Sequence, residues 1–325
     1  MAATQVQCEH LGVVNSHDFC KSFTNFHIVL AALSRIKQTV ANWFRNLPRM
    51  RAGGAYDTVP ELLFMDSFFK ACPDKFVPIF FDEAGHRVAS QYIMSVLHGH
   101  MPAKQLIHYR QGHFHLPGHP ELGVTPGVKF SSGRLGHMWP MVNGYALANK
   151  DRVTFCLGSD GSQMEGTDAE AARLAVSEGI NVKVLIDDNN VTIAGHPQDY
   201  FKGYSVEKTL AGHGMETITV DGEDIDQLYE ALRSAVTTPG PVAVIIKRSM
   251  CVGIKGLEGS NHGHDAISVD RAIQYLEARG HKAALATLAT VGTTADPKTE
   301  YLGVTGKEGS NRDTFGTVRG GKGGR

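Results

Sequence analysis

The feature that most constrains this chain is the alternation that begins at residue 151. Apolar runs at residues 152–157, 181–186 and 241–246, with a further strand at 215–220, alternate with helical spacing at 168–177 and from about 224 to 236. Runs that are apolar at nearly every position suit strands buried on both faces, and such strands occur in parallel sheets covered by helices on each side. The expected fold class is therefore α/β, a doubly wound parallel sheet with helices on both faces. Ligands of these sheets bind beyond the carboxyl ends of the strands. The polar clusters Gly158-Ser159-Asp160-Gly161 and Asp187-Asp188-Asn189-Asn190, which close two of the runs, fall at that edge.

Upstream, apolar positions recur at helical spacing over residues 24–48, and Arg51-Ala52-Gly53-Gly54 breaks the pattern. A short helix entered by Pro60 runs to about residue 69, a strand is expected at 75–81, and helical spacing resumes over 84–98. Residues 108–137 form a long loop rich in Gly, Pro and His before a helix at 138–149; loops of this length inside a compact domain are more often functional than not. Helical spacing returns at 270–280, residues 281–292 are ambiguous, and the polar stretch 293–325 is expected to be flexible. We expect one domain over residues 1–290 and a linker with the start of a further domain over 291–325.

Lys and Arg total 32 against 33 Asp and Glu, a formal net charge of -1, which gives no electrostatic reason to expect nucleic acid or a membrane surface as partner. The five cysteines, Cys8, Cys20, Cys72, Cys156 and Cys251, form no Cys-x-x-Cys pair, so a disulfide framework or cysteine zinc site is not expected. The first ten residues lack the basic stretch and apolar run of a signal peptide, and the cytoplasm is the expected compartment.

The sharpest chemical signal is the pair of strand ends. Between Gly161 and Asn189 lie 27 residues, room for one helix and one strand, so adjacent parallel strands would set the Asp160 carboxylate beside the Asn189 amide. Hard oxygen donors of this kind suit Mg²⁺ or Ca²⁺, especially when a diphosphate supplies further oxygens. Gly161 would bring its N–H close to a phosphate where the helix dipole favours anions. The plainer reading is two ordinary polar turns. For His108, His113, His115 and His119 the alternatives are a hydrated surface loop or a zinc site, although their irregular spacing and the lack of a nearby cysteine speak against zinc.

These strand ends resemble the cofactor motif of thiamine diphosphate enzymes, a Gly-Asp-Gly followed some residues later by Asn, with Ser159 in place of the first glycine. Within that superfamily, residues 20–265 are similar to the transketolases. The resemblance is carried by Tyr109-Arg110-Gln111-Gly112-His113, by Leu116-Pro117-Gly118-His119-Pro120-Glu121, by Ser132-Gly133-Arg134-Leu135-Gly136-His137 and by Met164-Glu165-Gly166. It implies the thiamine diphosphate-binding fold, thiamine diphosphate with Mg²⁺ as cofactors, and transfer of a two-carbon ketol unit between sugars or sugar phosphates. It implies Asp160, Asn189 and the Val191 carbonyl as metal ligands. Cofactor contacts would come from His86, Gly133, Leu135, Gly158, Gly161, Asn189 and His262. His113, His262 and Glu165 would serve catalysis, with Glu165 at a dimer interface. A pyrimidine-binding domain, of which only a start near Ser310 resembles this chain, is expected on another chain, with a homodimer or larger assembly. Where transketolases carry Ser-Gly-His-Pro-Gly, this chain has Ala52-Gly53-Gly54-Ala55-Tyr56 without the histidine, which puts sugar recognition in doubt. A non-catalytic cofactor-binding chain and a subunit of a 2-oxoacid decarboxylase or dehydrogenase are the alternatives.

Overall fold

The three most apolar strands lie at the centre of one sheet. A computed structural model of the protein describes residues 53–109, 114–264 and 269–278, with Gly280 and Lys282. All of these belong to a compact unit that runs to Gly292. The expected helix at 24–48, the residues 110–113, 265–268 and 279, the ambiguous stretch 281–292 apart from Lys282, and the polar end of the chain lie outside the described residues. The strands are β1 Phe81–Asp82, β2 Thr154–Ser159, β3 Val182–Asp188, β4 Glu216–Asp221 and β5 Val242–Lys247, and they form a five-stranded sheet in the order β1-β2-β3-β5-β4. Every pairing is parallel.

Strand periodicity divides the core into two layers. Phe155, Leu157, Leu185, Val244 and Ile246 face one side. There they meet Leu62, Met65 and Phe68 of helix α2 (Val59–Ala71), which follows the short α1 (Gly53–Asp57). Cys156, Val184, Ile186, Ala243 and Ile245 face the other side. They pack against Trp139 and Val142 of α4 (Met138–Leu147), Ala172 and Ala175 of α5 (Gly166–Ser177), and Leu210 of α6 (Val206–Gly212). Helix α3 (Val88–Leu97) links β1 to the long loop, and α7 (Ile225–Thr237) places Leu228 and Leu232 on the first layer. Helices thus cover both faces, as the continuous apolar runs require. A third apolar cluster ties Tyr56, Tyr92 and Tyr109 to Met250, Ile254, Leu257 and Leu276, the last from α8 (Val269–Ala278).

Two element boundaries differ from expectation. The strand expected at 75–81 is reduced to Phe81–Asp82 and an isolated bridge between Phe76 and Val153. Pro78 lies between them and has no N–H to give a ladder. Helix α3 starts at Val88 and not at residue 84, because Asp82 captures the next amides: Ala84 N–H reaches Oδ1 at 3.2 Å and Gly85 N–H reaches Oδ2 at 3.1 Å. This turn requires Gly85 to adopt φ +64°. Elsewhere Asp224 caps α7 by accepting the Gln227 N–H at 3.0 Å, so the Asp221–Asp224 segment turns strand into helix as expected.

Candidate functional site

The parallel register of β2 and β3 sets Ser159 beside Asp187, and the Asp160 N–H donates to the Asp187 carbonyl at 3.1 Å. The two polar strand ends are therefore side by side. Asp160 is buried; its Oδ1 accepts the Gly161 N–H at 2.8 Å, while its Oδ2 is buried with no hydrogen-bond partner. Burial, with Asp187 and Asp188 adding repulsion, pushes its pKa up to about 8. Asn189 closes β3. Its Nδ2 donates to Asp187 Oδ2 at 3.1 Å and its Oδ1 accepts the Val191 N–H at 2.9 Å. Asn190 takes φ 57°, and its carbonyl lies 2.8 Å from His196 Nδ1. Tyr204 donates its hydroxyl to the Asp160 carbonyl at 3.2 Å, closing the turn from the α6 side.

Three loops converge on this edge. A Cβ added at Gly85 would lie 2.5 Å from Gly133 Cα, and one at Gly133 would lie 2.6 Å from His119 Cδ2. The turns bearing His86, His119 and Leu135 are therefore in direct contact, and two glycines make that approach sterically possible. His86 also meets the His264 ring, with centroids 4.8 Å apart. The sequence points to His262 and not to His264; in the structure His264 is buried and His262 is exposed two residues away in the same 3-10 turn. Gly54, in the stretch without the histidine that the resemblance leads one to expect, is closely packed: a Cβ there would lie 3.1 Å from His86 Nε2 and 3.2 Å from Arg87 Cγ, so a side chain would need its neighbours to shift. Leu135 and Glu165 are both exposed, and Glu165 precedes α5 without capping it through its side chain. His113 lies outside the described residues.

Sequence reasoning missed the charged groups beneath these loops. Arg87 is fully enclosed, pairs with Asp82 at 2.9 Å and donates through both terminal nitrogens to the Gly158 carbonyl at 3.0 Å. It thereby ties the loop after β1 to the end of β2. Arg248, just past β5, donates to Glu61 and to the Asp57 carbonyl and sits 3.6 Å from Asp187. Burial raises Glu61 to about 7 even beside that cation. Glu83 and Asp168 are wholly buried, and Ser162 Oγ donates to Glu83 Oε2 at 2.8 Å. The clue was present in the sequence as charged residues following apolar strands, but their partners lie on distant segments. Gly158 is glycine for a related reason, since a Cβ there would meet Ile186 Cδ1 at 2.6 Å and Glu83 Oε2 at 3.0 Å.

The donor set fits a hard cation in one respect above all: Asp160 presents a buried carboxylate oxygen that no well-formed hydrogen bond satisfies, with the Asn190 N–H also facing the carboxyl. Among the described residues no group of three or more His, Cys, Asp or Glu side chains is placed to hold a metal, and the set at the strand ends has a single carboxylate with an amide and a backbone carbonyl beside it. Asn189 Oδ1 keeps one lone pair beyond the one given to Val191.

Comparison with known proteins identifies the family and the fold. Residues 73–279 match the family described as transketolase, thiamine diphosphate binding domain. An apulose-4-phosphate transketolase subunit from Actinobacillus succinogenes is 30% identical over 194 residues, covering 58% of this chain and 70% of that protein. A transketolase of Staphylococcus epidermidis is 32% identical over 214 residues, covering 60% of this chain and only 32% of that protein. The chain thus spans about a third of such longer relatives. Among solved structures, transketolase from Campylobacter jejuni superposes with a TM-score of 0.64 at 22% identity, over 82% of this chain and 49% of that one. Transketolase from Leishmania mexicana gives 0.65 at 21% identity, over 80% and 46%. At those identities the structures establish a shared fold, and together with the matched segment and the strand-end geometry they place this chain in the transketolase thiamine diphosphate binding domain family.

Proposed function

We propose that this chain is the diphosphate-binding half of a transketolase-like enzyme, which transfers a two-carbon ketol unit between sugars or sugar phosphates. The observation that carries this reading is the orphaned, buried Asp160 oxygen beside Asn189 at the carboxyl edge of the sheet. Asp160, Asn189 and the Val191 carbonyl would hold Mg²⁺ (Ca²⁺ has the same ligand preference) against the diphosphate. Gly158 and Gly161 keep the turn open to a phosphate, and His86 and His262 supply imidazole donors, with His264 braced against His86. Gly133 and Leu135 bring the facing loop to the cofactor. His113 is the residue assigned to moving protons on the sugar hydroxyls. Thiamine diphosphate, when bound, supplies the electron sink for breaking and forming the carbon–carbon bond.

A chain carrying the pyrimidine-binding domain is the proposed partner; the 70% coverage of a relative that is named as one transketolase subunit supports a divided enzyme. Self-association is the second element of the proposal. Leu135, Met141, Tyr145, Met164 and Leu174 are exposed large apolar residues on α4, α5 and the turns beside them, with Glu165 next to Met164. Among the described residues no helix is long and apolar enough to cross a membrane. The direct test is calorimetric titration of thiamine diphosphate with Mg²⁺ into the chain, alone and with a pyrimidine-binding chain. Saturable binding that requires Mg²⁺ supports the reading, and absence of binding in both settings removes it.

One observation favours a second reading, a cofactor-binding chain without sugar turnover. The stretch 52–56, which resembles the family's substrate-histidine element, has no histidine, and at Gly54 a Cβ would lie 3.1 Å from His86 Nε2. Cofactor binding without ketol transfer in the assembled complex would select it.

A further inference from the structure

Glu83 and Asp168 are both wholly buried, and their carboxyl groups are hydrogen-bonded to each other. Each also holds one side of the Ser159–Gln163 turn. Ser162 Oγ donates to Glu83 Oε2 at 2.8 Å, and Gln163 Nε2 donates to Asp168 Oδ2 at 3.0 Å. The other two oxygens, Glu83 Oε1 and Asp168 Oδ1, are buried and make no well-formed hydrogen bond outside the pair, although the Ser162 hydroxyl also faces Asp168. Two carboxylate oxygens brought together in a dry interior repel unless a proton lies between them. The charge count around them points the same way. Arg87 is the cation at hand, and it is already paired with Asp82 at 2.9 Å, so one more carboxylate is balanced poorly and two are not balanced at all.

We propose that Glu83 and Asp168 hold one proton between them and act as a positioning pair that fixes the Asp160 turn against the loop bearing His86. The structural logic is local. Glu83 follows β1 and is three residues from His86, Asp168 lies in the first turn of α5, and Asp160 sits in the turn that both carboxyl groups grip. The other charged or titratable groups facing the pair are Asp82 from the end of β1, Arg87 from the loop before α3, Cys156 from β2, Glu165 just ahead of α5 and Tyr204 from the segment before α6. Burial first, then the neighbouring Glu83, holds the Asp168 carboxyl well above the usual range, and burial likewise raises Glu83. The folded state therefore keeps a proton that the unfolded chain gives up. The stability it contributes is complete at acid pH and is lost as pH rises through the folded pKa. Loss of that proton leaves two adjacent carboxylates, and the turn is released from one or both anchors.

The role as a support for a metal and diphosphate rests on the function proposed above, so the test reads the turn itself and needs no cofactor. Amide hydrogen exchange is measured on the full chain across Ser159–Gln163 from weakly acid to mildly alkaline pH, as protection factors, for the wild type and for D168N, E83Q and the double variant. In D168N the new amide donates to Glu83 and its oxygen still accepts from Gln163; in E83Q the amide donates to Asp168 and its oxygen still accepts from Ser162. Each single variant thus replaces the proton with an N–H that does not titrate. Protection in the wild type is expected to fall with rising pH, by up to about tenfold per pH unit between the ordinary carboxylate range and the pair's pKa, the limit for one proton, and to level off above it. It is expected to stay level in D168N and in E83Q. The double variant sets two amide donors face to face and is expected to lack protection in the turn at every pH. The same pH profile in the wild type and in both single variants would overturn the shared proton, and an intact turn in the double variant would overturn the positioning role. Failure of the chain to bind thiamine diphosphate would instead count against the proposed function and would leave this result standing.

Discussion

Asp160 carries more of the account than any other residue. It ends an apolar strand, accepts a hydrogen bond on one oxygen only, and keeps the other buried without a partner. A buried unpaired acceptor costs roughly 1–3 kcal/mol, and more when charged, unless a cation or donor completes it. We therefore expect Asp160→Ala to weaken Mg²⁺-dependent binding of thiamine diphosphate by about 2 kcal/mol or more, read as the change in affinity by calorimetry. The variant should fold at least as well as the wild type, because a strained acceptor has been removed. Gly85 gives a contrasting prediction. It combines φ +64° with an approach to the Gly133 backbone that leaves 2.5 Å for a Cβ, so Gly85→Ala should destabilise by more than about 1 kcal/mol. Denaturant unfolding should show that loss, and the same separation of loops should lower cofactor affinity. Asp160 and Asn189 were legible in the sequence because each ends a strand and strand ends locate ligands in this class of sheet. The contact of His264 with His86 was not, since it depends on which ring the 3-10 turn presents there. The pairing of Glu83 with Asp168 was hidden as well, because 84 intervening residues have to fold before the two carboxyls meet.

At the scale of elements, the helix and strand order could be read from periodicity, and the errors have local causes. Pro78 splits the strand expected at 75–81, and the Asp82 side chain delays α3 by claiming two amides. Helix α6 was missed because residues 206–212 make only about two turns, although Ser205 caps it by accepting the Lys208 N–H at 3.3 Å. One strand residue breaks the apolar rule with a purpose. Lys183, in the middle of β3, is buried and donates to the Thr238 carbonyl at 2.7 Å and to the Gly240 carbonyl, satisfying groups just past the carboxyl end of α7. Burial pushes its pKa from 10.5 down to about 8. Between those values the unfolded chain binds more protons than the folded one, so this group makes stability rise with pH across that window. Lys183→Met removes the dependence. The stability difference between wild type and variant should shift toward the wild type by up to about 1.4 kcal/mol per pH unit there, measured by urea unfolding at several pH values.

At the scale of the molecule, the sheet, the buried arginines and the glycine contacts serve one end: they hold three loops over the carboxyl edge of β2 and β3. Arg248 illustrates the dependence, since it joins α1 and α2 to the end of β5 through the Asp57 carbonyl and Glu61. Arg248→Met would strand the buried Glu61 and Asp57 carboxyls and should cost about 3–5 kcal/mol, visible as a large fall in the unfolding midpoint. The exposed apolar residues of α4 and α5 argue for a partner surface on the same side as Glu165. Charged replacements there, Met141→Glu with Tyr145→Glu, should shift the chain to a smaller species in sedimentation while leaving its unfolding midpoint nearly unchanged. The fold class could thus be read from sequence, and the resemblance led to the expectation of an assembly, whereas the surface that would serve it could not be read, because it depends on which apolar side chains the finished fold leaves uncovered.

The central claim is that this chain supplies the diphosphate side of a divided transketolase-like site. The most direct measurement is a ketol-transfer assay with thiamine diphosphate and Mg²⁺, run on the chain alone, on the chain with a separate pyrimidine-binding chain, and on that mixture carrying Asp160→Ala. The account predicts turnover only in the wild-type mixture. Sustained turnover by the chain alone, or equal turnover with Asp160→Ala, would contradict it.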